Sequence, residues 1–235
     1  MKFLSCVAVC SSALVALAGC ASTKVTESRI YQGERLARPD RIIVHDFAAT
    51  PADIPAWSAA AGRHAAPSTP QTAEAIETGR NLGAQVAKEL VAEIRDMGLP
   101  AVLAAGQPAP HVGDIVIIGY FESIDEGSAA KRVAIGFGSG GAELITQAEG
   151  YVMTDRGLRK VGSREIDSGG GKTPGVAVPL AVTIATANPI GLIVGGAVKV
   201  GGEVTDTSTI EGSAKRTANE IADELRAAFE KQGWL

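Results

Sequence analysis

The chain has 235 residues, and its 22 Lys+Arg against 26 Asp+Glu give a formal net charge of −4. That balance excludes the basic field that condenses a phosphate backbone, so nucleic acid is not an expected partner. Hydrophobic residues make up 46% but aromatic ones only 4%, beside 28 glycines, a composition of Ala, Val, Ile and Leu that favours close backbone packing and, at this length, one domain with a real core.

Met1 and Lys2 form a short positive start, and Phe3 to Leu17 is an uncharged apolar run of signal-peptide length, too short to span a bilayer as a stable helix. Leu17-Ala18-Gly19-Cys20 follows at once. Small residues ahead of a cysteine in this context make a lipobox, in which cleavage after Gly19 leaves Cys20 as a lipid-bearing first residue. Residues 1–19 are therefore expected to be a signal peptide. The three cysteines are Cys6, Cys10 and Cys20, so the mature chain would keep only the modified one and form no internal disulfide in an oxidising compartment. With each buried methylene adding about 0.8 kcal/mol, several acyl chains on Cys20 would hold the protein on a membrane persistently. Ala21 and Ser22 lack the aspartate that retains enteric lipoproteins on the inner membrane. The expected location is thus the outer membrane, facing the periplasm.

Residues 20–37 are polar, mixed in charge and aperiodic, and read as a lipidated tether. The domain is expected over 38–235. Arg41 to Phe47 is β-branched and apolar between Pro39 and Pro51, the pattern of a buried first strand. A loop rich in Pro, Ala and Ser runs to Thr69, and Thr69-Pro70 resembles a helix N-cap with proline at the first helical position. Leu82, Val86, Leu90, Ile94 and Met97 then recur at threes and fours, predicting an amphipathic helix that stops at Gly98 ahead of Pro100. Ala101 to Leu103 reads as a short strand. Asp114 to Phe121, apolar on both faces, reads as a central one. Ala142 to Thr154 and Leu158 to Ile166 flank Asp155-Arg156-Gly157, a tight antiparallel hairpin signal.

Residues 172–202 carry charge only at Lys172 and Lys199 and are interrupted by eight glycines or prolines from Gly175 to Gly202. Finally, Ala214, Ala218, Ile221, Leu225, Ala228 and Phe229 form one face of a C-terminal helix ended by Gly233, with Trp234 placed to fold back on it. The expected fold is α/β (α+β): a mixed sheet of about four to five strands, an amphipathic helix after strand one, an antiparallel hairpin, a Gly-rich apolar segment and a C-terminal helix.

Arg38-Pro39-Asp40-Arg41-Ile42-Ile43-Val44-His45-Asp46-Phe47, the Gly136-Phe137-Gly138-Ser139-Gly140 turn before a long strand, and the terminal Gly233-Trp234-Leu235 together resemble a bacterial lipoprotein family, domain of unknown function 4410. The resemblance covers most of the mature chain and implies no activity. A looser, architectural likeness is to periplasmic lipoprotein domains of the curli-pore and Tol-B amino-terminal kind, which supplies no residue roles.

Gly136 to Gly141 formally satisfies a Gly-x-Gly-x-x-Gly phosphate loop, but a strand rather than a helix is expected after it, so a turn is the better reading. Ser168 to Gly171 is read as a loop for the same reason. His45, His64 and His111 are too widely spaced for a metal site. His45 beside Asp46 could pair a base with an orienting acid, yet nothing marks a nucleophile, and a hydrogen-bonded structural pair is favoured. Glu122, Asp125 and Glu126 lack a calcium-loop pattern and read as a solvated acidic turn.

The segment 174–202 is the strongest functional candidate. Ala187, Gly191 and Gly195, with Gly196 beside them, form a small-residue face, and Asn188-Pro189 divides two halves each too short to span. It is expected either to pack on the domain or to insert in a membrane. Together these features point to a lipid-anchored structural or binding module of the cell envelope, without a catalytic constellation or a cofactor. Its expected partners are the membrane and envelope proteins or further copies of itself. The alternative is a membrane-associated oligomer contributing to a pore or secretion assembly through 174–202.

Overall fold

The computed structural model describes residues 22–62, 71–125, 142–169, 192–194 and 209–235. The strands are β1 (Ser22–Ile30), β2 (Ile42–Val44), β3 (Ala101–Leu103), β4 (Ile115–Asp125), β5 (Glu143–Thr154), β6 (Gly157–Gly169) and β7 (Leu192–Val194), and the helices are α1 (Ala73–Asp96) and α2 (Ile210–Gln232). All seven strands share one mixed sheet, ordered β1-β6-β5-β4-β2-β3, with β7 also paired to β4. The architecture is the α+β class expected, with more strands than the four to five read from the sequence.

β2 runs parallel to both β3 and β4, and α1 makes the crossover between β2 and β3. β4, β5 and β6 form an antiparallel meander. β4 is central, as its two apolar faces required: β5 lies on one side, and β2, the Ala48–Tyr120 bridge and β7 follow one another along the other. The hairpin turns at Asp155-Arg156, where Gly157 takes φ +106°, a conformation that favours glycine.

Three expectations change. Ser22 to Ile30, read as tether, is an edge strand lying antiparallel on β6 from Ser22 opposite Gly169 to Ile30 opposite Gly162. Its exposed residues, Lys24 and Thr26 to Arg29, carry no apolar period because an edge strand is held by backbone pairing. The first strand of the domain is shorter than Arg41 to Phe47, ending at Val44, with the chain rejoining the sheet at Ala48. The cap of α1 is Thr72, whose hydroxyl accepts from the Ala75 amide, rather than Thr69, which lies outside the described residues.

Both helices cover one face of the sheet. Leu82, Val86, Leu90 and Ile94 of α1 and Ala214, Ala218, Ile221 and Phe229 of α2 are buried against Ile42, Val44, Ile115, Ile117, Phe121 and Ile166. Gly98 (φ +79°) and Gly233 (φ +76°) end the two helices. Trp234 folds back as expected: its amide bonds the Phe229 carbonyl at 3.0 Å and the two rings lie 5.2 Å apart. The opposite face carries Ile43, Val116, Ile118 and Tyr151, and beside them Tyr120 packs with Ala48 and Ala60, so residues 48–60 cover this end of it.

The register gives the sheet two unlike ends. Ser22, Asp125, Glu143, Gly169 and Val194 meet at one. α2 starts near it, since Thr217 donates to Ser168 at 2.7 Å, and runs toward the other, where Gln232 reaches Leu36. Among the described residues, no helix is long and apolar enough to cross a membrane.

Candidate functional site

Leu17, Ala18, Gly19 and Cys20 lie outside the described residues, as do Gly191, Gly195, Gly196, the Gly136 to Gly141 turn, His64 and Glu126. Of the segment 174–202 only Leu192–Val194 is described, and its backbone pairs with Ser123 to Asp125 of β4. Ser168 and Gly169, read as the start of a loop, are instead the last residues of β6, Ser168 being fully buried against Thr217.

His45 and Asp46 do not form the hydrogen-bonded pair expected of them. His45 contacts the Trp57 ring edge-on at 5.8 Å. Burial lowers its pKa against the opposing charge of Asp46, so the imidazole is neutral at pH 7. His111 is exposed; its main-chain amide donates to Asp114, which also holds Arg41 at 2.6 Å. Glu122 is half-buried rather than a solvated turn residue. Burial, then the charges of Glu165 and Glu27, raise its pKa, while a hydrogen bond with Gln147 opposes them.

A polar cluster that the sequence reading did not assemble sits next to Trp57. Glu149 is only 3% exposed. Its carboxylate accepts from Ser58 at 3.0 Å, from the Tyr151 hydroxyl at 2.6 Å and from Lys160. The Tyr151 oxygen in turn accepts from the Ala59 amide at 2.8 Å, and its ring meets Trp57 edge-on at 5.3 Å. Burial pushes the Glu149 carboxyl up, but bonds from Lys160 and Tyr151 and the Lys160 charge outweigh it and hold the pKa below the ordinary value. Burial and the bond to Glu149 push Tyr151 up to about 12. A carboxylate filled by three donors and a phenol that stays protonated make a poor acid–base pair and a good clamp, fixing residues 57–60 to β5 and β6. The available signal was Glu149 itself, a charge between Ala148 and the Tyr151-Val152-Met153 run.

On the helix side, the C-terminal half of α2 stands off the sheet over a cavity of about 130 Å³. Its floor is Ile115, Ile117, Ala148, Gly150 and Gly162, and its roof Ile221, Leu225, Ala228 and Phe229. Tyr31 and Leu36 close one end. That 31–36 connection is strapped to α2 by the Leu36 amide donating to Gln232 at 2.7 Å and by Trp234 Nε1 donating to the Leu36 carbonyl at 3.1 Å. Arg29, Glu149, Arg164, Glu224 and Lys231 also border the space; Arg164 and Glu224 neutralise each other at 2.7 Å, Arg29 is paired with Glu27 and Glu149 with Lys160. The space exists because three facing sheet positions carry a methyl or nothing.

These features define an α+β sheet domain with two helices on one face, an apolar cavity beneath the second helix and a closed polar clamp on the opposite face. The chain belongs to the family described as domain of unknown function (DUF4410), whose model matches residues 42–187. No curated protein matches it. Among solved structures it is similar to the PelC dodecamer from Paraburkholderia phytofirmans in two crystal forms. One, of a point variant, is 16% identical with a TM-score of 0.36, covering 66% of this chain and 85% of that one. The other is 13% identical with a TM-score of 0.37, covering 66% and 86%.

Proposed function

We propose that the protein is a lipid-anchored module of the cell envelope, held on the outer membrane through Cys20 and acting by binding in the periplasm. The observation that carries this reading is the position of β1. Because β1 begins at Ser22, only Ala21 separates Cys20 from the sheet. A lipid on Cys20 would therefore hold the Ser22–Gly169 end of the sheet against the bilayer and present the opposite end to the periplasm. The Leu17-Ala18-Gly19-Cys20 lipobox supplies the address.

A second reading, a membrane-associated oligomer, is favoured by one fact. The described residues that flank the stretches of lowest charge and highest glycine content, Gly169 and Leu192–Val194, lie at this same end. Against it, Leu192–Val194 lies on the domain's own sheet. The two readings separate by light scattering on the chain carrying Cys20→Ser, with and without mild detergent. A monomer in both conditions is expected for the tethered module. A ring, or an oligomer that needs detergent and is abolished by deleting 174–202, would make assembly the function instead.

A further inference from the structure

Cavities of about 150 Å³ lined by aliphatic and aromatic carbon stay dry and accept benzene-sized guests. The cavity under α2, at about 130 Å³, falls in that range. Its existence is a choice of sequence more than a packing accident. Gly150 borders the register shift between β5 and β6 but does not take a positive φ, and a Cβ added there would touch only Val161 Cγ2, at 3.8 Å. A valine at Gly150 would fill part of the void, so the glycine leaves open a space that a single substitution closes. Around the opening, Arg164 is paired with Glu224, Arg29 with Glu27 at 3.1 Å and Glu149 with Lys160, which leaves Lys231 as the bordering charge with no ion pair among the described residues.

We infer that this cavity is a binding site for the tail of a small carboxylate amphiphile: an aliphatic chain of about six carbons, by comparison with benzene-sized guests, lies between α2 and Gly150, and the head stays at the opening beside Lys231. The assignment does not rest on lipidation of Cys20. Carbon contact supplies the affinity and the Lys231 ammonium sets the sign of the head group.

The test uses hexanoate, with hexylamine as its cationic counterpart, on the chain carrying Cys20→Ser purified without detergent, whose tails would compete. Hexanoate should bind with about tenfold preference over hexylamine, a discrimination of about 1.4 kcal/mol. Gly150→Val should raise the thermal midpoint in the absence of ligand and abolish hexanoate binding. Should Gly150→Val fail to fold, Ala228→Leu fills the same space from the helix and should also abolish binding. Failure of hexanoate to bind the unsubstituted cavity, equal binding to a filled variant, or equal binding of hexylamine would each overturn the assignment.

Discussion

Glu149 shows how one residue ties a loop to a sheet. Replacing it by Gln removes the charge that Lys160, 32% exposed at its side chain, and the Tyr151 hydroxyl both address. The expected loss is on the order of 2 kcal/mol by urea denaturation at pH 7, since hydrogen bonds to a buried charge are replaced by weaker neutral ones. Because its folded pKa lies below the ordinary 4.5, Glu149 stabilises fully above that value, and the contribution fades as pH falls through the folded pKa. The Glu149→Gln deficit should therefore shrink in acid; a deficit independent of pH would contradict the clamp. Glu122 has the opposite sign. Its raised pKa means that ionisation opposes folding, a penalty that grows as pH rises through 4.5 and is complete above the folded pKa. Glu122→Gln should consequently stabilise at pH 7 and have little effect well below 4.5, as read by paired denaturation curves. Neither role was legible in the sequence, because the clamp joins Ser58 to Glu149, Tyr151 and Lys160, and the acidic row joins Glu27 and Glu165 to Glu122, over separations that no local pattern encodes.

Between α1 and the sheet, the decisive contact is backbone on backbone. Phe47 donates to the Gly83 carbonyl at 3.2 Å, and a Cβ on Gly83 would collide with the Phe47 carbonyl. Gly→Ala inside a helix ordinarily gains about 1 kcal/mol. Here Gly83→Ala should destabilise, lowering the denaturation midpoint; a gain would show that α1 is free to shift away from Phe47. The helices and the hairpin were legible because their signals are local: threes and fours for Leu82 to Ile94 and for Ala214 to Phe229, and a turn at Asp155 to Gly157. β1 was not, since its partner is more than a hundred residues away and its own side chains are solvated. The cavity was equally hidden. Ala148, Gly150 and Gly162 read as weak strand residues until α2 is placed above them.

For the molecule as a whole, the proposed anchor and the cavity lie at different ends of the sheet. Along β6, Gly162 at the cavity and Gly169 beside Ser22 are separated by about 23 Å at roughly 3.3 Å per residue. In the proposed orientation the Ser22–Gly169 end of the sheet faces the bilayer, and the cavity lies toward the periplasm. The lipobox pattern was readable at Leu17 to Cys20 and the resemblance to the DUF4410 family at Arg38 to Phe47, whereas the shortness of the stretch between Cys20 and the sheet depended on finding β1. The account stands most directly on the chemistry of Cys20. The deciding measurement is the mass of the N-terminal tryptic peptide, 20–24, from protein extracted from membranes. It should begin at Cys20 and carry a diacylglyceryl group on sulfur; an unmodified Cys20, or a mature chain beginning elsewhere, would contradict the anchored module.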